Sequence, residues 1–483
     1  MLNTAEEWLE TQSQKFIGIS DRIWRYAEIG LLEEKSASLL IEIFEEAGFR
    51  VKKGLANMPT AFIAAYGKGK PVIAILGEFD ALPGLSQDKT PRKKPVKEGD
   101  PGHGCGHNLL GVAGLAAALA IREVIQTKNL EGTIRYYGCP AEENADAKGG
   151  LVKEGLFNDV DISLTWHPSD LNHVYSTNFQ AIYSAVFKFQ GRSSHAAADP
   201  FSGRSALDAV ELMNVGCNYL REHIIPGGQV HYTITVGGSA PNIVPEKAEV
   251  WYFVRAPNLN QVREIYDRVV KVGKGAALMT ETEMKIEFHG GSANLLPNIA
   301  LENLLYRKMR EIGPPSYNPN DYQFATEIHS TLEANYFDNY LATMPQDMKK
   351  EVEQLRELKL CDRVLPIVGR GITMPGSTDV GDVSWVTPLA QFGTACSVIG
   401  TPGHSWQFVA QSGMNIGHKG MLYASKVLAL SALELIQNAG LVEEARREFN
   451  KKIEKTPYTS PLPDDWKPPL EHIRKTFGKK SDA

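Results

Sequence analysis

Two hydrophobic periods alternate along the first third of the chain. Residues 34–48 (EKSASLLIEIFEEAG) place apolar side chains at helical spacing and stop at Gly48, whereas AFIAAYG (61–67) and VIAILG (72–77) are short β-rich runs closed by glycine. Residues 108–127 predict an apolar, alanine-rich helix, followed by strands at TIRYYG (133–138) and DISLTW (161–166). Continuously apolar strands separated by helices predict an α/β layer with a mainly parallel sheet, because strands covered on both faces have no polar side. Ligands of such a sheet gather at the carboxyl ends of its strands.

The rhythm changes at about residue 181. Strand patterns at 183–191, 230–238, 248–256 and 283–288 frame helical patterns at 205–223 and 262–279. The order β-α-β-β-α-β is that of a ferredoxin-like unit, so residues 181–293 are expected to form an inserted lid or dimerisation domain. Residues 1–180 and 294–456 then form the two parts of the main domain. A strandless stretch at about 312–365 predicts a helical insertion, with Met348, Val352, Leu355 and Leu358 on one helix face. The strand-like CSVIG (396–400) and a helix at 418–438 complete the main domain, and the Pro- and Lys-rich residues 457–483 are expected to wrap the surface or stay disordered.

A length of 483 residues suggests roughly two to three domains. With 43% hydrophobic and 22% charged residues, collagen-like and disordered classes are excluded. The formal net charge of -6 supplies no global positive field, so nucleic acid is not an expected partner. Five scattered cysteines read as thiols rather than as a disulfide framework. The opening MLNTAEEWLE lacks the basic and apolar regions of a signal peptide, and the apolar stretch Leu109 to Ile121 is shorter than the ~18 residues of a membrane span. A cytoplasmic location without membrane association is expected.

Four segments carry candidate chemistry. In GHGCGHNLLG (102–111), Cys105 and His107 flank a glycine just before a helix, a spacing that lets a thiolate and an imidazole meet one metal; a loop with a buried thiol is the alternative. In GCPAEENADAKGG (138–150), Glu142 and Glu143 point different ways, so one can bind metal while the other moves protons; a solvated acidic turn is the alternative. His167 in LTWHP and His404 in GTPGHSW each follow or end an apolar strand, where a lone histidine is more often structural than a ligand. Converging at one sheet edge, these loops would supply five ligands with Glu142 left over, which suits two metals bridged by water.

The ordered set GHGCGHN, PAEEN, TWHP, GRSSHAA, PNIVP and PGHSW resembles the two-metal aminoacylase and carboxypeptidase family, in the branch of indole-acetyl-amino-acid and hippurate hydrolases. The resemblance runs from about residue 20 to 460. It implies a metallo-exopeptidase-like α/β catalytic domain with an inserted ferredoxin-like lid, and a metal-dependent amidohydrolase acting on an N-acyl amino acid such as p-aminobenzoyl-glutamate. It also implies that Cys105, His107, Glu143, His167 and His404 hold two divalent metals, manganese before zinc, and that Glu142 is the catalytic base. His195 would reach a partner's active site across the dimer, and Asn242 and Arg255 would grip the substrate carboxylate. The inserted domain would pair with itself or with a homologous subunit.

Two departures stand out. The family's metal-binding His-x-Asp is Glu78-Phe79-Asp80 here, and Thr378-Asp379 stands where many relatives have Glu-Asp. Helix capping is the expected role of Asp379 and Asp382. Phe201 and Tyr183 are candidates to stack on an aromatic acyl group, against core packing as the alternative. Two other functional readings are a cysteine-nucleophile amidase built on Cys105, and a non-catalytic subunit of a heteromeric hydrolase.

Overall fold

Residues 2–478 are described in a computed structural model of the chain. A seven-stranded sheet forms the main domain, in the order Arg50–Lys53, Phe62–Lys68, Gly132–Cys139, Val72–Glu78, Ile162–Ser169, Leu389–Ala395, His173–Tyr175. The four central strands from Gly132–Cys139 to Leu389–Ala395 run parallel, and the outer strands are antiparallel. Every residue of Val72–Glu78 and Leu389–Ala395 is buried, as expected for central strands covered on both faces.

Helix His107–Lys128 crosses the middle of one face and packs against Asn415–Gln437 in the largest apolar core. By length and composition the first of these helices could cross a membrane, but 89% of its apolar window is buried inside the protein. It is the core helix of this domain, which explains its low amphipathicity.

The inserted unit is a four-stranded antiparallel sheet in the order Glu283–Ser292, Ala181–Gln190, Lys247–Ala256, Gln229–Val236. Lys247–Ala256 alternates buried and partly exposed residues, so one face packs while the other meets solvent. Helices Ala206–Leu220 and Leu259–Thr280 start at Ser205 and Asn258, whose side chains accept from Asp208 and Gln261 N–H groups. They cover the packed face in a separate core containing Phe187, Met213, Val250 and Val269.

Helices Pro319–His329, Tyr336–Ala342 and Gln346–Glu353 occupy the strandless stretch, with Val352 and Leu355 buried against Leu171 and Ile399. One expectation is corrected: CSVIG is a buried turn, and the strand precedes it at Leu389–Ala395. Its apolar side chains fill several cores, and its backbone donates to Ser169 O, Gln411 Oε1, Lys359 O and Asp170 Oδ2 instead of to a ladder. The tail from 457 to 478 is anchored rather than disordered, with Leu462 and Ile473 buried and a helix at Leu470–Phe477. Residues 479–483 of that tail lie outside the described residues.

Candidate active site

Because the central strands run parallel, their carboxyl ends open onto one edge. Glu78 ends one strand, Glu142 and Glu143 follow the next, His167 sits near the end of a third, and the chain beyond Leu389–Ala395 leads to His404. The Cys105 loop joins them at the start of the core helix. Gly106 there has φ 78°, and a Cβ would come within 3.0 Å of Phe408 and Pro168, so the Cys105–His107 turn needs glycine on two counts. Ala141 (φ 55°) and His404 (φ 54°) adopt the same left-handed region, a local strain that aims Glu142 and His404. The His404 N–H donates to Gly104 O at 3.0 Å, tying two of the loops together.

The side chains converge as the motif spacing suggests. Ligand-competent atoms of Cys105, His107 and His167 lie within 4.8 Å of one another, as do those of Cys105, Glu143 and His404, and those of Glu78, His107 and Glu142. Cys105 is shared by two of these groups, so the donors surround two adjacent points. His107 Nδ1 donates to Asp80 Oδ1 at 2.8 Å, and Asp80 Oδ2 accepts the Glu143 N–H at 3.0 Å. One carboxylate thus sets both the His107 tautomer and the Glu143 loop. His167 Nδ1 donates to Pro168 O at 2.7 Å, turning Nε2 toward Cys105 Sγ at 3.4 Å. His107 Nε2 and Glu78 Oε2 face each other at 3.1 Å without hydrogen-bond geometry, and Glu143 Oε1 is buried without a hydrogen-bond partner. Orphaned acceptors of this kind are costly unless a cation fills the space between them.

Charge balance points the same way. Glu78, Asp80, Glu142 and Asp379 place four carboxylates near one lysine, Lys148, and Glu143 lies beside His107 and His404. Lys148 is fully buried, 2.6 Å from Glu78 and 2.5 Å from Asp379. Burial, with Glu78, Glu143 and Asp379 nearby, pushes Glu142 well above the usual carboxylate range. Burial opposes ionisation of Glu78 too, yet Lys148, His107 and His167 hold it low. Burial lowers His167 to about 4, keeping its imidazole neutral and able to coordinate. Burial and Glu143 raise the Cys105 thiol, so without a cation it is a poor nucleophile. The donor set of one thiol, three imidazoles and several carboxylates fits two divalent cations.

Asp379 and Asp382 do not cap a helix. Asp379 accepts the Lys148 backbone N–H and pairs with its ammonium, while Asp382 accepts from Tyr458 Oη and the Ala293 N–H. The helix they begin, Val380–Ser384, has no side-chain cap because both carboxylates face the buried polar layer instead. Lys148 was not singled out from sequence: within ADAKGG nothing marks it as other than a surface lysine. Glu78 belongs to the donor group with His107 and Glu142 and is held there by Lys148.

The other candidates lie on the inserted domain. Arg255 is half-buried and donates to Ser377 Oγ of the main domain at 2.7 Å. His195 and Asn242 are exposed and paired through the bridge His195–Ile243, and no contact joins them to the Cys105 group among the described residues. His195 Nδ1 accepts from the Ala197 and Ala198 N–H groups, which leaves Nε2 outward. Tyr183 is core, edge-on to Tyr266 and Phe288, whereas Phe201 is 80% exposed on the His195 loop.

A parallel sheet whose carboxyl edge gathers buried thiol, imidazole and carboxylate donors, beside an inserted ferredoxin-like unit, defines a metal-dependent hydrolase. Residues 180–277 match the model of the peptidase dimerisation domain of the M20 family. The chain is 43% identical over 469 residues to a p-aminobenzoyl-glutamate hydrolase subunit from Escherichia coli, covering 96% of this chain and 98% of that protein. It is 29% identical to the mouse Xaa-Arg dipeptidase, over 93% and 92% of the two chains. A Bacillus subtilis dinuclear metal-binding peptidase of the M20 family shares the fold, with a TM-score of 0.56 at 15% identity, covering 89% of this chain and 99% of that one. This chain belongs to the M20 family of aminoacylases and peptidases and is a metal-dependent amidohydrolase.

Proposed function

We propose that the chain hydrolyses the amide bond of N-acyl amino acids, with p-aminobenzoyl-glutamate as first substrate, at two divalent cations held by Cys105, His107, Glu143, His167 and His404. The observation that carries this reading is the buried excess of carboxylates over Lys148, together with the unpartnered Glu143 Oε1 and the His107 Nε2 that meets only Glu78. The name of the 43% identical relative supports the substrate. Manganese is the first choice of metal and zinc the second. The cations would polarise the scissile carbonyl and make water nucleophilic at neutral pH.

Glu142, beside the ligands but not needed as one, takes the proton of the attacking water and returns it to the leaving amide nitrogen. Arg255, fixed by Ser377, offers its guanidinium to the α-carboxylate, and Asn242 adds an amide donor. His195 acts on the partner's site, where Nε2–H stabilises the developing oxyanion. Pairing through the inserted domain, with a second copy or a homologous subunit, fits the edge strand Gln229–Val236 and exposed Ile234, Val236 and Tyr219. Glu142→Gln should lower turnover of p-aminobenzoyl-glutamate by at least about 10²-fold with metal content unchanged. Normal turnover in that variant would remove the assignment.

A further inference from the structure

A second donor group lies outside this site. Glu287, His289 and His472 place ligand-competent atoms within 4.8 Å of one another. Glu287 and His289 belong to Glu283–Ser292, the last strand of the inserted domain, and His472 to the C-terminal helix Leu470–Phe477, nearly two hundred residues later. His289 is the extra residue of a β-bulge: Phe288 pairs with Ala185 and Gly290 with Ser184, leaving His289 without a register partner. A bulge re-aims the side chain it carries, here toward the tail.

The ring is only 4% exposed, and its Nε2 has no hydrogen-bond partner. Glu287 Oε1 is 3.3 Å from that nitrogen, and the His472 ring centroid is 4.8 Å from that of His289. Lys188 takes the other carboxylate oxygen, Oε2, at 2.5 Å, which leaves Oε1 directed inward. Trp466 Nε1 donates to the His289 carbonyl at 3.2 Å, so the chain leading to His472 is already held against the strand. Two imidazoles and one carboxylate are a zinc donor set, and ligands about 2.0–2.1 Å from one zinc lie roughly 3.4 Å apart. The observed spread needs only small side-chain rotations to close.

We propose that Glu287, His289 and His472 bind a zinc-type divalent ion that clasps the C-terminal helix to the last strand of the inserted domain, with water completing the coordination. The ion would give the buried His289 Nε2 its missing partner and would make docking of the tail metal-dependent. This site shares no residue with the active-site donors, so it does not depend on the proposed catalytic metals.

The test is zinc stoichiometry of the full chain after metal stripping, reloading and dialysis. His472→Ala and, separately, Glu287→Gln should each bind one zinc fewer per chain than the unmodified protein. Proteolysis between residues 456 and 469 should be slowed by zinc in the unmodified protein and not in His472→Ala. Equal zinc content in the unmodified protein and both variants would overturn the proposal and leave the two imidazoles as a packing pair. Failure of the catalytic reading would change the total zinc count but not this difference of one.

Discussion

Asp80→Asn tests how the active-site donors are organised. Asp80 accepts two N–H groups, from His107 Nδ1 at 2.8 Å and from Glu143 N at 3.0 Å, and it is 1% exposed. Asparagine is nearly isosteric but has one acceptor oxygen. If that oxygen stays on the Glu143 N–H, the amide NH2 faces His107 and forces its proton onto Nε2, the nitrogen turned toward Glu78 Oε2. That tautomer blocks coordination. Loss of such an orienting carboxylate typically costs 10–100-fold in metal affinity, or about 1.4–2.7 kcal/mol. The assay is competition for metal against a chromophoric chelator, with melting of the stripped protein as a separate measure of folding. Wild-type metal affinity and turnover in Asp80→Asn would refute the view that Asp80 sets the His107 tautomer.

Replacing Gly106 by Ala should destabilise the stripped protein by about 1–2 kcal/mol, since φ is 78° and the new methyl meets Phe408 and Pro168; a calorimetric melt reads this, and metal affinity should fall with it. Arg255→Met should raise KM for an acyl amino acid by about tenfold or more with kcat little changed, as steady-state kinetics would show. Arg307 forms two hydrogen bonds to Glu434 and, against the effect of burial, Lys308 helps hold its pKa down to about 2. Because the folded value lies below the usual one near 4.5, the stabilisation is complete above that pH and is lost as pH falls toward about 2. Arg307 is about half exposed, so only about 1–2 kcal/mol is expected, and Glu434→Gln should flatten that part of the pH–melting profile in chelator.

Much of the architecture was legible because its signals are local. The apolar runs at 61–67 and 72–77, the alanine-rich helix after Cys105 and the β-α-β-β-α-β order each depend on side-chain period within a short window. CSVIG misled for the same reason: a buried turn and a buried strand have the same composition over five residues, and only its backbone partners tell them apart. Candidate donors could be picked from loops that follow strands, since parallel strands deliver their carboxyl ends to one edge.

What the chain alone determined was therefore the element order, the inserted domain's pattern and the candidate donors Cys105, His107, Glu143, His167 and His404, with Glu142 beside them. Tertiary structure decided how those donors are held: Asp80 bridging two loops, Lys148 buried against Asp379 at a separation of 231 residues, and a bulged His289 turned to His472. Periodicity and turn chemistry act over one or two turns of chain, whereas burial of a charge and the partner it finds depend on segments that meet only after the sheet has formed.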